Sequence, residues 1–213
     1  ITDKSCDFMK NEEFKKAFGI ASKQNQGIKA GHWILHINQW FANYAKKLDG
    51  DFVECGVLKG WNAMSNIIYT DFGKLKNKKY YLFYTFKGLD ERYSTKGEYG
   101  AYKDKYKDTY KFVKDSFRKY PNVVLVKGSI PDTLNDANIK KVAYLHIDMN
   151  AVKPEIGALK FFYPKLVHGG VIIFDDYGWP GHENQKKAID EVLESYGQRV
   201  LYMPAGMGII IKQ

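Results

Sequence analysis

Two cysteines in 213 residues, Cys6 and Cys55, leave no disulfide framework. Cys55 falls inside an apolar run that reads as a buried strand, so a bridge to the N-terminal tail is not expected. That usage fits a reducing, cytoplasmic setting. No Cys/His spacing matches a structural zinc site. No apolar run approaches the roughly 20 residues that span a bilayer, and the charged opening Ile1–Lys10 lacks a signal-peptide pattern, so no membrane partner is expected. There is no G-x-G-x-x-G after the first strand and no Walker sequence, which disfavours a dinucleotide or a nucleoside triphosphate. Internal repeats, low-complexity segments and interior linkers are missing as well.

What is present begins with basic charge. Thirty-three Lys and Arg against 24 Asp and Glu give a net charge of +9. The lysines are scattered over Lys74–Lys79 and Lys96–Lys119 without forming one tract. Solubility or an anionic small substrate accounts for them better than nucleic acid does.

The chain is organised around Gly50–Gly60. Phe52, Val53, Cys55 and Val57 make a short apolar run, the mark of a strand covered on both faces. Gly56 and Gly60 follow where the chain must turn and a ligand can approach the backbone. Trp61–Asp71 continues with Met64, Ile67, Ile68 and Phe72 at helical spacing. Ligands of open α/β sheets bind beyond the carboxyl ends of the strands. Glu54, Gly56 and Gly60 are therefore expected to line a pocket, because an unpartnered carboxylate in a buried strand is costly. A tight turn without a ligand is the alternative. If a cofactor lies there, valine at Gly56 should fill its space and abolish binding.

Upstream, Asn11–Ile20 and His32–Leu48 read as helices, the second with Trp33, Ile37, Trp40, Tyr44 and Leu48 on one face. His32 and His36 read as ordinary helix histidines in preference to a metal pair, with His36 an outside candidate for the border of a substrate pocket. Downstream, Tyr80–Phe86 is the second strand and Lys87–Gly100 a polar loop of lid length. Tyr102–Tyr120 reads as one helix, with Tyr102, Tyr106, Tyr110, Val113 and Phe117 in a stripe. Asn122–Gly128 and Val142–Asp148 are strands three and four. Pro154–Val167 is a helix closed by His168-Gly169-Gly170, Val171–Asp176 the fifth strand and His182–Tyr196 a helix. Gln198–Met203 and Met207–Ile211 form a last hairpin, antiparallel because its connection is tight. This alternation predicts an α/β fold, a mostly parallel sheet with helices on both faces. Residues 49–213 form one compact unit, and residues 1–48 a helical extension.

Glu54, Ser129, Asp148 and the pair Asp175-Asp176 fall at strand ends. Such acids can accept hydrogen bonds from ribose hydroxyls or a cationic ligand, and Asp148, Asp175 and Asp176 can together bind a hard divalent cation through oxygen. Asp175-Asp176 serves equally well as a cap of the following turn. Without a pyrophosphate cradle, a nucleoside-type cofactor lacking phosphates fits best, and S-adenosylmethionine is the common one.

The stretches GDFVECGVLKG, YYLFYTFKGLDE, VKGSIPDTL, YLHIDMNAVKPEIGALKFFYPKLVHGGVIIFDDYGW and MPAGMGIIIK, in that order over roughly Asp49–Lys212, resemble the macrocin-O-methyltransferase-like class I methyltransferases. The resemblance implies a Rossmann-like, seven-stranded sheet with a reversed last hairpin, and methylation of a hydroxyl on a sugar or related small molecule, in glycan or natural-product tailoring. By position, Glu54, Gly56 and Gly60 would border the methionine part of S-adenosylmethionine, and Gly128 and Ser129 the adenine. Tyr84, Asp148 and Met149 would complete the cofactor-binding set. Asp148, Asp175 and Asp176 match the acids that hold Mg2+ in metal-dependent members. Two positions depart from the family pattern. Tyr84 stands where an aspartate usually grips the ribose diol, and Asn150 where metal-dependent members have an acid; its amide oxygen would still coordinate with less charge. Catalysis would be mainly positioning, since the methyl donor is already activated. Asp148 and His182 are the candidate bases, with His146 more in keeping with a structural role. A binding module that has lost turnover is the rival reading, supported by Tyr84 and Asn150. A homodimer is compatible with either.

Overall fold

The computed structural model describes residues 5–24, 31–103, 105 and 108–213. Its strands are β1 (Asp51–Cys55), β2 (Tyr80–Tyr84), β3 (Val123–Lys127), β4 (Val142–Ile147), β5 (Leu166–Phe174), β6 (Leu201–Tyr202) and β7 (Gly208–Ile211). They form one sheet in the order β3-β2-β1-β4-β5-β7-β6. β1 to β5 are parallel, and β7 runs antiparallel to both β5 and β6. This is the Rossmann-like sheet with a reversed last hairpin that the sequence leads one to expect.

The helices are α1 (Glu12–Ala21), α2 (His32–Ala45), α3 (Trp61–Thr70), α4 (Lys96–Tyr102), α5 (Tyr110–Phe117), α6 (Val152–Phe162) and α7 (Glu183–Ser195). Period-two alternation sorts the strand side chains between two cores. Phe52, Tyr80, Leu82, Tyr144 and Ile173 pack with α1, α2, α3 and α5, while Val53, Cys55, Phe83, Leu145 and Ile172 pack with α6 and α7. Phe14 of α1 and Leu35 of α2 are buried in the first core. Each such side chain contributes about 1.5–3 kcal/mol, enough to hold the two N-terminal helices on the sheet.

Several expectations need correcting. The buried face of α2 is Leu35, Ile37, Asn38, Gln39, Ala42 and Ala45, whereas Trp33 and Trp40 are 38% and 55% exposed. Polar Asn38 and Gln39 go inside because partners wait there: the Tyr144 hydroxyl donates to Asn38 Oδ1 at 2.6 Å, and Gln39 Nε2 donates to Ser65 Oγ at 2.7 Å. His32 stacks on Phe18 and His36 on Phe8, with centroids 4.1 and 4.0 Å apart, so neither borders the site. The single helix Tyr102–Tyr120 is two, α4 and α5, and Tyr106 lies outside the described residues. α4 starts early, inside the stretch read as a loop, because Thr95 and Glu98 form a reciprocal capping box. α6 stops at Phe162, where Pro164 enters a 3-10 turn, so Leu166–Gly170 belong to β5. β2 ends at Tyr84, two residues early, as the chain turns through a left-handed Phe86 (φ 61°). β6 keeps only two residues of the expected six.

Candidate active site

Sheet hydrogen bonding runs past the strand ends. Gly56 N donates to Phe83 O, Asp148 N to Cys55 O and Asp175 N to Ile147 O, at 2.9, 2.8 and 3.1 Å. This aligns the ends of β1, β4 and β5 at one edge, where a cleft opens that encloses about 860 Å3, mouth included. Glu54, Gly56, His146, Asp148 and Asp175 line it, with Trp61 and Asn62 from the start of α3. An adjoining, tighter pocket lies at the ends of β2 and β3. Tyr84, Asp90, Gly128, Ser129 and Met149 line that one, with apolar Phe83, Leu89, Ile130 and Pro154. Gly60 lies behind the first cleft, facing the Phe117 ring.

Glu54 is buried, and Asn62 Nδ2 and the Tyr80 hydroxyl both donate to its Oε2 at 2.9 Å. Burial nonetheless pushes its carboxyl above the ordinary range. Around it, Asn62 Oδ1, Trp61 Nε1 and both His146 nitrogens are buried without a hydrogen-bond partner, and His146 Nε2 stays 3.5 Å from Asp175 Oδ1. Buried polar atoms in native proteins are normally satisfied. Such a group of orphans, facing a cleft with carboxylates, suits a ligand carrying donors, acceptors and a positive charge.

Asp148, Asp175 and Asp176 offer carboxylate oxygens all within 4.8 Å of one another, the one such group of three among the described residues. Burial, with Asp175 and Asp176 adding repulsion, drives the Asp148 carboxyl well up, and burial with Asp175 beside it takes Asp176 to about 6. Asp176 Oδ2 is buried and unbonded. The donor set fits one hard divalent cation, whose charge would relieve that repulsion. Asn150 does not turn its oxygen to this group: in a left-handed conformation (φ 55°), its Nδ2 donates to Asp148 Oδ1 at 3.3 Å.

His182 directly precedes α7. Its Nδ1 lies 2.8 Å from Gln185 Oε1 and 3.7 Å from Asp176 Oδ2, and its Nε2 is 3.3 Å from the Tyr102 hydroxyl of α4. The segment read as a lid is pinned in place. Asp90 Oδ2 accepts from Ser129 Oγ at 2.5 Å and from Arg92 Nη2 at 2.6 Å, Tyr93 donates to Asp132, and Glu98 Oε1 accepts from Val152 N at 2.9 Å. The Arg92 guanidinium holds Asp90 down at about 2. Asp90, Tyr102, Glu155 and Gln185 were not legible as site residues. Only the Thr95-x-x-Glu98 capping pattern pointed to a helix that would carry Tyr102 inward.

Glu155, buried in the first turn of α6, is pushed by that burial to about 8. Its folded-state value lies above the unfolded value of about 4.3. The folded protein thus keeps a proton that the unfolded chain has shed, and this group's contribution to stability falls as pH rises from about 4.3 through 8. Glu155→Gln should flatten that slope in thermal denaturation across the window. An unchanged slope in the variant would mean that Glu155 ionises freely in the fold.

The sequence profile of the macrocin-O-methyltransferase family (TylF) matches residues 37–197, more than half of the chain. No curated protein matches. Among solved structures, the O-methyltransferase NovP superposes with a TM-score of 0.72 at 20% identity, covering 84% of this chain and 79% of that one. CalS11, described as a TDP-rhamnose 3'-O-methyltransferase, covers 99% and 96% with a TM-score of 0.58 at 16% identity. Cofactor-bound Rv0187 from MTB covers 94% and 89%, with a TM-score of 0.59 at 12% identity. At these identities the structures speak for the fold, and the profile speaks for descent: the chain belongs to the macrocin-O-methyltransferase family.

Proposed function

We propose that the protein transfers the methyl group of S-adenosylmethionine to a hydroxyl of a sugar or related small molecule. The observation that carries this is the carboxylate-lined cleft beside a mostly apolar pocket at the strand ends, in a member of this family. No described helix is long and apolar enough to cross a membrane. We place the reaction among cytoplasmic steps of glycan or natural-product tailoring.

The cofactor supplies an activated methyl on sulfonium sulfur. Glu54 and Asp148 face the cleft where a cationic methionine end is best accommodated, with the Gly56–Gly60 turn beside it. Gly128, Ser129 and Met149 wall the adenine pocket, and Tyr84 faces the ribose. Asp148, Asp175 and Asp176 would hold one magnesium ion, which would supply Lewis acidity to make a substrate hydroxyl more acidic. His182, or Asp148 itself, accepts the hydroxyl proton. Pinning of Asp90, Arg92 and Glu98 keeps the adenine wall and α4 in position, and positioning is most of what this chemistry needs.

The test is transfer of labelled methyl from S-adenosylmethionine to a panel of nucleotide-activated sugars and glycosides. Label on a sugar oxygen is the expected result. Tight cofactor binding by calorimetry, with no transfer to any of them, would favour a binding module.

Tyr84 makes a second measurement worthwhile. Its ring packs edge-on against Phe86 at 5.5 Å, and burial holds its hydroxyl protonated far above neutrality. It can give the ribose one neutral bond where a carboxylate would give charge-assisted ones, each contributing about 1.5–3 kcal/mol. Tyr84→Asp should tighten S-adenosylmethionine binding roughly tenfold, about 1.4 kcal/mol, once the lost ring packing is subtracted. Weaker binding in calorimetry would make the phenol ring itself the contact.

A further inference from the structure

The surroundings of His182 fix which of its nitrogens carries the proton. Glu155 Oε1 accepts from Met149 N at 3.1 Å, and once the carboxyl has lost its proton, above about pH 8, that oxygen can only accept. Gln185 places an amide terminus 3.0 Å from the same oxygen, and that terminus must be the NH2 group, since an amide oxygen there would set two acceptors against each other. The other terminus, the carbonyl oxygen, therefore faces His182 Nδ1 at 2.8 Å. A carbonyl accepts only, so Nδ1 must be the donor. In neutral histidine the remaining nitrogen, Nε2, then carries the lone pair. Asp176 Oδ2, 3.7 Å from Nδ1, is a second acceptor on the same side. Glu155 and Gln185 are both buried, so water does not compete for these bonds.

We infer that Gln185 is a positioning residue: held by Glu155, it fixes His182 in the Nδ1–H form and leaves the Nε2 lone pair on the side that faces Tyr102. The Tyr102 hydroxyl, 3.3 Å from Nε2, is the donor that fills this place, in the role a substrate hydroxyl would take. The inference rests on the proposed role of His182 as base, to which it adds the tautomer that role requires. An Nε2–H histidine would have no lone pair on that side to receive a proton.

Long-range 1H–15N correlation spectra of labelled protein in mildly alkaline solution read the tautomer directly, without substrate. Native protein should show His182 protonated at Nδ1, and Gln185→Leu should move the proton to Nε2. Tyr102→Phe should leave it on Nδ1, which separates loss of the acceptor from a general disturbance of the site. A native spectrum with the proton on Nε2 overturns the inference. So does a Gln185→Leu spectrum that keeps Nδ1–H, since Asp176 would then suffice. The base reading is examined separately by His182→Gln in the labelled-methyl assay. Undiminished transfer there removes His182 from the chemistry while the tautomer assignment stands.

Discussion

Gly56→Ala is expected to destabilise the whole fold, well beyond emptying its cofactor site. A Cβ built on Gly56 would sit 1.6 Å from the carbonyl oxygen of Asp148, and the residue's φ of 96° is in the region that L side chains avoid. The conformational penalty alone is about 1–2 kcal/mol. Relieving the overlap would require the ends of β1 and β4 to part, at the expense of the bond Asp148 N to Cys55 O, which contributes about 0.5–1.5 kcal/mol. Together these approach about 3 kcal/mol against a total stability of about 5–15. At about 2–4 °C per kcal/mol for a domain of this size, the thermal midpoint should fall by roughly 6–12 °C. Gly19→Ala is the control: it lies within α1 with no heavy atom within 4 Å of its Cβ, and should gain about 0.5–1 kcal/mol. A Gly56→Ala protein with an unchanged midpoint and lost cofactor affinity would restore the expectation drawn from sequence, that the glycine makes room for the ligand. The structure instead gives that room to the neighbouring strand.

Asp148→Asn should reduce methyl transfer about a thousandfold, within the range of about 10²–10⁴ attributed to a positioned acid or base, while leaving the protein as stable or more so. The two effects share one cause. Three carboxylates crowd one strand edge, and burial with repulsion from the other two drives the Asp148 carboxyl well up. Replacing it by a neutral isostere relieves the repulsion and keeps an oxygen to accept from Asn150. It also removes the charge that would grip a cation or take a proton. The labelled-methyl assay and thermal denaturation read the two sides. A midpoint that drops sharply would mean that the triad stabilises the fold. Turnover in excess chelator adds a further distinction: loss of activity restored by magnesium supports a cation at the triad, and full activity leaves these acids to cap the turn and act as base.

The sheet was legible because its strands are short apolar runs bounded by glycine and polar turns, and because the connections force the direction of the last pair. The strand-end acids were legible for the same reason: a carboxylate at the end of an apolar run has few places to go. What failed were surfaces and joints. Helical spacing put Trp33 and Trp40 inward, but buried hydroxyls on Tyr144 and Ser65 drew Asn38 and Gln39 in instead, and no periodicity encodes a partner a hundred residues away. The early start of α4 carried a local signal, the Thr95-x-x-Glu98 box. Pro164 marked the end of α6 just as locally. Glu155 and Gln185 look in sequence like ordinary helix residues, one placed to favour the helix dipole and the other on a polar face. Their meaning appears only when α6 and α7 are packed side by side.

The tryptophans divide into two optical populations. Trp33, Trp40 and Trp179 lie at the surface, where a polar collisional quencher reaches them, while Trp61 stands in the cleft wall with its indole N–H unbonded. Trp61 is partly buried, so its emission is the most resistant to quenching of the four. A ligand that supplies an acceptor to that N–H alters this residual signal and leaves the quenchable part unchanged. The protein therefore carries a built-in fluorescence gauge of cleft occupancy, readable with an unlabelled cofactor and before any acceptor is known.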